Sequence, residues 1–163
     1  MAPIIRKALP GDIEAITEIY NEAILTTDAT FDMEPKTLAE QKVWFEAHGP
    51  KNPVMVASVD GVVAGWASLS QWSTRCAYTD TAEISLYVKS EYRRRGLGKL
   101  LMAAILEEGQ KAGLHTVLSR ITGGNTVSIC LHEKFGFEHI GTMKEVGLKF
   151  DKLLDVVMMQ KVY

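Results

Sequence analysis

Two groups of residues in this sequence could do chemistry beside each other. The first is Arg93-Arg94-Arg95-Gly96-Leu97-Gly98-Lys99, where cations and glycines interleave. It follows the apolar run ending at Val88 and precedes an amphipathic stretch, so it reads as a strand-to-helix turn. The first amides of a helix have no intrahelical partner, and the helix dipole favours an anion in front of them. Glycine at 96 and 98 lets the backbone approach a ligand closely. The segment is suited to cradling a pyrophosphate. The second group is Glu83-Ile-Ser-Leu-Tyr-Val88 just upstream. Strand alternation puts Glu83, Ser85 and Tyr87 on one face and Ile84, Leu86 and Val88 on the other. A carboxylate in a central strand costs free energy unless it is paired or functional. Glu83 is therefore either a general base or half of an ion pair with an arginine.

Other phosphate motifs fit poorly. A P-loop needs G-x-x-x-x-G-K-[ST], which does not occur here. The dinucleotide fingerprint needs a third glycine where Leu101 stands, and the early βαβ context is missing. What remains is R-x-x-G-x-G from Arg93 to Gly98. The plain alternative is a solvated basic loop before an ordinary helix.

The surrounding elements follow from periodicity and turn chemistry. Ile4–Leu9 reads as a strand. Pro10 and Asp12 open a helix carrying Ile13, Ile16, Tyr20, Ala23 and Ile24 on its apolar face. A second helix spans about Leu38–His48. Two apolar runs flank Asp60-Gly61, a hairpin signal. Further elements are a strand over Thr81–Lys89, a helix over Gly96–Ala112, a strand over Thr116–Ile121, a helix over Asn125–Phe135 and a final strand pair. The long helix is expected to bury Leu97, Leu100, Leu101, Ala104 and Ile105, and Asn125 suits an N-cap. The order β-α-α-β-β-β-α-β-α-β-β implies an α/β (α+β) fold: a mixed, mostly antiparallel sheet with helices on both faces.

The chain has 163 residues, which suits a single domain over 1–163. Its net charge of −2 argues against nucleic-acid binding through bulk charge. No apolar run is long enough to span a bilayer and no signal peptide is evident, so membrane association is not expected. Cys76 and Cys130 read as free thiols, consistent with the cytoplasm, with Cys130 expected to be buried. His48, His115 and His139 show no metal-ligand spacing, so no metal is expected.

The motif at Arg93–Gly98, together with Glu83–Val88, Gly123-Gly-Asn125 and Ser128–Phe137, resembles the Gcn5-related (GNAT) N-acetyltransferase superfamily across the whole chain. Ile19-Tyr-Asn-Glu22, Val146-Gly-Leu-Lys-Phe150 and Leu154-Asp155 are similar to its phosphinothricin and methionine sulfoximine N-acetyltransferase branch. The resemblance implies acetyl-CoA as co-substrate, held by Arg93, Arg94, Arg95, Gly96, Leu97, Gly98 and Lys99. Free backbone groups of Leu86, Tyr87 and Val88 would take the pantetheine arm and polarise the acetyl carbonyl, with Asn125 and Ser128 beside them. It places Glu83 facing the acetyl group and His132 where many members carry a tyrosine. His132 either protonates the leaving thiolate or packs structurally. Phe31, Trp72, Ser73, Thr74, Arg75 and Tyr78 are the candidate amine site, Arg75 being suited to a carboxylate; local packing of that loop is the alternative. The segment Lys149–Asp155 lacks the histidine of the dedicated phosphinothricin-resistance enzymes, and Asp151, Lys152 and Leu153 stand where methionine sulfoximine relatives often show Gly, Arg and Trp; both departures bear on the choice of amine.

The expected activity is acetyl transfer to a small amino-acid-like amine, by direct attack in a ternary complex, with a homodimer implied by the resemblance. Acetylation of another amine (a protein N-terminus, polyamine or aminoglycoside) and a non-catalytic acetyl-CoA sensor are the competing readings.

Overall fold

The computed structural model describes residues 2–163. Its elements are β1 (Ile4–Lys7), α1 (Ile13–Thr26), α2 (Leu38–Glu46), β2 (Val54–Val59), β3 (Val62–Gln71), β4 (Thr81–Val88), α3 (Leu97–Lys111), β5 (Thr116–Thr122), α4 (Thr126–Lys134), β6 (Glu138–Lys149) and β7 (Lys152–Val162). This is the order read from the sequence. Boundaries differ by a residue or two at most ends, where local signals are weakest.

The strands form a seven-stranded sheet ordered β1-β2-β3-β4-β5-β7-β6. All neighbours are antiparallel except β4 and β5. The β2–β3 turn is Asp60-Gly61, with φ of 50° and 80°. Positive φ at both central positions is the turn that matches strand twist. The β6–β7 turn repeats that geometry at Phe150 and Asp151, φ 50° and 56°, without a glycine. Such a conformation is costly for a bulky residue, so surrounding contacts must hold it.

Helices cover both faces. One core layer packs α1 on the sheet through Ile16, Ile19, Val56 and Trp66, with Tyr20, Trp44 and Tyr87 around them. The opposite layer packs α3 through Leu97, Leu101, Met102 and Ile105 onto Ala67, Leu69 and Ile84, with Phe137 at its margin. Alternation along β4 therefore divides the two layers as read: Tyr87 joins the first, while Ile84, Leu86 and Val88 join the second.

Two local expectations need correction. Leu100 is 42% exposed, because the buried stripe of α3 runs through Leu97, Leu101 and Ile105 instead. Cys130 is exposed, because α4 turns His132 inward. Asp12 stands at the N-terminus of α1 as expected, and its carboxylate is buried against the Arg6 guanidinium at 2.7 and 2.9 Å.

Candidate active site

The centre of the site is a gap in the sheet. β4 and β5 pair only over Thr81–Glu83 against Thr116–Leu118. Beyond Glu83 the two strands part, while β4 remains paired with β3 as far as Val88. Two bonds bracket that ladder: Trp72 N–H to Thr81 C=O at 3.2 Å, and Lys89 N–H to Ala64 C=O at 2.8 Å. Alternation between them turns the amides of Glu83, Ser85 and Tyr87 toward β3, and those of Leu86 and Val88 into the gap. Of the three expected backbone partners, Leu86 and Val88 therefore face the opening. Tyr87 does not. Its amide serves the ladder, and its ring packs edge-on to Tyr20 at 5.2 Å.

The Arg–Gly segment lies at the mouth of this gap. Gly96 is the N-cap of α3 at φ 80°, a conformation that glycine adopts freely. The first intrahelical bond runs from Leu100 N–H to Gly96 C=O, 3.2 Å. The amides of Gly96, Leu97, Gly98 and Lys99 thus have no intrahelical acceptor. Leu86 and Leu131 close under Gly98, where an added Cβ would meet them at 3.8 and 3.6 Å. The arginines divide their work. Arg93 folds back, its Nε donating to Val88 C=O at 3.1 Å and its Nη2 lying 3.9 Å from Glu22. Arg95 lies over the Tyr92 ring at 5.2 Å. Arg94, at φ 61°, and Lys99 are exposed.

Glu83 meets Arg120. The guanidinium grips the carboxylate with two bonds, Nη2 to Oε1 at 2.7 Å and Nε to Oε2. That bond holds Arg120 above its ordinary pKa. Arg120 also lies over the Trp72 ring at 5.7 Å. The arginine partner foreseen as one alternative for Glu83 therefore exists, yet the glutamate side chain stays 21% exposed. Sequence reasoning did not single out Arg120. The signal that could have found it is the strand alternation Leu118-Ser-Arg120, once Leu118 is placed opposite Glu83.

His132 is 5% exposed, with both ring nitrogens engaged. Nδ1–H donates to Ser128 C=O at 2.7 Å, and Nε2 accepts from the Ser119 hydroxyl at 3.0 Å. This hydrogen-bond network assigns the neutral tautomer. Burial pushes the imidazole below its ordinary value of 6.5, with the bond to Ser128 opposing. Asn125 caps α4 by accepting from Ser128 N–H at 3.2 Å.

The loop after β3 is only partly drawn in. Trp72 meets Arg120, and Ser73 Oγ accepts from Arg75 N–H at 3.2 Å. Thr74, Arg75 and Tyr78 are exposed and are not gathered around Glu83. Phe31 is 37% exposed and packs over Gly147. A surface cavity of about 380 Å³ lies elsewhere, against Leu106, Phe135 and Tyr163. The chemistry sits in an open cleft between parted strands instead of an enclosed pocket. Among the described residues, no cluster of three His, Cys, Asp or Glu side chains is placed to hold a metal ion, and no helix is long and apolar enough to cross a membrane.

Comparison with known proteins agrees with this geometry. The profile of the acetyltransferase (GNAT) family matches residues 14–137. An L-methionine sulfoximine/L-methionine sulfone acetyltransferase of Pseudomonas paraeruginosa is 39% identical over 98% of this chain and 94% of that protein. A phosphinothricin N-acetyltransferase of Streptomyces coelicolor is 32% identical over 96% of this chain and 94% of its own length. The crystal structure of a GNAT superfamily phosphinothricin acetyltransferase from Sinorhizobium meliloti, in complex with AcCoA, superposes with a TM-score of 0.95. It is 35% identical and covers 99% of this chain and 89% of that one. With the parted strands, the amide-rich helix start and full-length relatives all in agreement, the chain belongs to the acetyltransferase (GNAT) family.

Proposed function

We propose that this chain, acting as one domain, transfers the acetyl group of acetyl-CoA to the primary amine of a small amino-acid-like substrate of the methionine sulfoximine, methionine sulfone or phosphinothricin type. The observation that carries the reading is the juxtaposition of open Leu86 and Val88 amides, an α3 start with no side-chain cap and a partly exposed Glu83 along one gap. Relatives with that chemistry match nearly the whole chain.

In this reading the amides of Gly96–Lys99, with Arg94, Arg95 and Lys99, hold the pyrophosphate. Leu86 and Val88 bond the pantetheine arm as an added strand would, and one of their N–H groups polarises the thioester carbonyl. Asn125 and Ser128 flank the arm. Glu83 takes a proton from the substrate ammonium, directly or through water, and Arg120 orients its carboxylate. The freed amine attacks the thioester carbon. The carbon–sulfur bond then breaks, and the second proton on nitrogen passes through solvent to the departing thiolate, leaving the amide and the free thiol of coenzyme A. His132, with both nitrogens engaged inside the fold, serves better as a support for Ser119 than as the acid. Trp72, drawn in against Arg120, and Phe31 line the amine side, with Ser73, Thr74, Arg75 and Tyr78 at its exposed outer edge. Arg75, exposed in the loop, is free to meet a substrate carboxylate.

Two copies pair in this reading. Long β6 is an edge strand. Ile140, Met143, Val146, Leu148 and Leu153 along the β6–β7 hairpin are exposed, more apolar surface in one place than a lone edge usually carries. The exposed free thiols Cys76 and Cys130 fit the reducing cytoplasm.

The test is thiol release from acetyl-CoA with methionine sulfoximine, methionine sulfone, phosphinothricin, a polyamine, an aminoglycoside and a short peptide. Turnover concentrated on the amino-acid analogues supports the proposal. Turnover confined to the peptide or polycations overturns the substrate class. Tight acetyl-CoA binding with no turnover on any amine points to a sensor.

A further inference from the structure

One motif remains without a role in the mechanism: Val146-Gly-Leu-Lys-Phe150 with Leu154-Asp155. The structure shows what these residues hold. Lys149 is 4% exposed, although it lies one residue from the tip of the β6–β7 hairpin. Its ammonium reaches away from the sheet and donates to Thr30 C=O at 2.8 Å and Asp32 C=O at 2.9 Å. Both carbonyls belong to the segment between α1 and α2. A buried lysine normally needs a carboxylate or a set of acceptors. Here the acceptors are two backbone carbonyls of a loop that has no regular structure of its own.

The neighbouring positions support the same contact. Gly147 lies directly beneath Phe31: an added Cβ would sit 2.8 Å from ring atoms Cδ2 and Cζ, and closer to Cε2. The β6 strand reaches this place through a bulge. Between Met143 and Gly147 it carries extra residues against β7, and Glu145 sits at φ 52°. Asp155 holds the bulge, its Oδ1 accepting from Glu145 N–H at 2.8 Å and its Oδ2 from Lys144 at 3.1 Å. Bulges re-aim the side chains that follow them. This one brings Gly147 and Lys149 to the loop.

A second motif grips the same loop from the other side. Tyr20 hydroxyl meets Thr30 Oγ1 at 3.0 Å and bonds the Asp32 carboxylate. Asn21 takes both backbone groups of Lys36, donating to its C=O at 2.9 Å and accepting from its N–H at 2.7 Å. Thr122, at the end of β5, donates to Asp28 C=O at 2.6 Å. Thr122 lies two residues beyond Arg120, and Tyr20 packs on Tyr87 of β4. The loop is therefore fixed across the place where β4 and β5 have parted, with Phe31 on its exposed side.

We propose that Lys149, with Gly147 beneath Phe31, is the positioning residue that fixes segment 27–37 as the amine-side wall of the cleft, and so sets which amine fits. Neither residue touches the reacting atoms; both act through Phe31. The choice of amine rests on the acetyltransferase reading above, whereas the clamp itself does not.

Lys149→Met and Gly147→Ala test it, each beside wild type, with two readouts. Amide hydrogen exchange of residues 27–37 reports the clamp without needing turnover. In Lys149→Met it is expected to rise at least tenfold, with α3 and β4 unchanged. The KM for the amine that wild type turns over best is expected to rise at least fivefold in both variants. Their KM for acetyl-CoA should stay within twofold. In Gly147→Ala, where Phe31 must shift while the lysine bonds persist, the ranking of amines by kcat/KM should change. Unchanged loop exchange in Lys149→Met overturns the proposal. So does a parallel rise in both KM values, which would mark general destabilisation. Lys149→Arg, which keeps the charge and donors, should restore loop protection; failure to do so also counts against the clamp. If wild type acetylates none of the amines, the substrate reading falls, and the exchange experiment still decides the clamp.

Discussion

Glu83 is the proton acceptor of the proposed reaction, and its surroundings are compatible with that role. Arg120 grips it from β5, leaving part of the side chain open toward the gap. Removal of the proton acceptor should slow the chemical step while sparing the cofactor contacts proposed on β4 and α3. Glu83→Gln is therefore expected to lower kcat by about 10²–10⁴-fold. The acetyl-CoA dissociation constant, measured by calorimetry, should remain near that of wild type. Equal losses in binding and turnover would assign Glu83 a purely structural role. The neighbouring aromatic Tyr87 does not compete for the proton, because burial pushes its hydroxyl up to about 12.

At the scale of an element, the start of α3 combines a backbone requirement with the proposed binding one. Gly96 has open space where a Cβ would point, so the cost of Gly96→Ala comes from its φ of 80° alone. That conformation costs an alanine about 1–2 kcal/mol. Thermal or denaturant unfolding should show a loss of that order. If the turn relaxes to relieve the strain, the amides of Gly96–Lys99 change direction, and the KM for acetyl-CoA should rise more than the KM for the amine. A variant that loses stability but keeps its acetyl-CoA KM would separate the turn from the cradle. The helix itself was legible in the sequence, because capping glycine, period and apolar stripe are local signals. The exposure of Leu100 was not, since which edge of a wide stripe is covered depends on how the helix lies on its sheet.

The whole molecule should respond to pH through buried His132 and half-buried His48. Desolvation lowers both His48 and His132 below the ordinary 6.5. His48 is held between Trp44 C=O at 2.7 Å and Ser70 Oγ at 2.8 Å. Above 6.5 both are neutral in folded and unfolded chains, and their contribution to stability is intact. As pH falls from 6.5 toward the lowered folded values, the unfolded chain takes up protons that the fold refuses, and stability is lost. The Asp12 carboxyl, held below 3.8 chiefly by its hydrogen bonds to Arg6, adds a second loss at more acid pH. Melting temperatures measured from pH 8 to 5 at one protein concentration should fall below about 6.5, and fall less steeply in a His48→Gln/His132→Gln double variant. An equal slope would mean that the histidines do not control acid stability. The exposed β6–β7 hairpin makes a separate prediction: sedimentation should give twice the monomer mass, and Leu153→Glu should shift it toward the monomer. A wild-type monomer would remove the paired assembly.

By itself the sequence determined the order of elements and the two helix-covered faces of the sheet, and it singled out Arg93–Lys99 and Glu83 as candidates for the site. Each of these rests on residues within a turn or two of one another, where periodicity, capping and glycine act directly. Only the tertiary structure decided which amides are open, what grips Glu83, and what fixes the loop of Phe31. The first depends on where β4 leaves β5, a matter of register and not of composition. The others join residues far apart in the chain: Arg120 reaches Glu83 across 37 positions, and Lys149 reaches Thr30 across 119. Pairings at such separations are set by how the sheet assembles, so a local reading of either partner leaves the other unnamed.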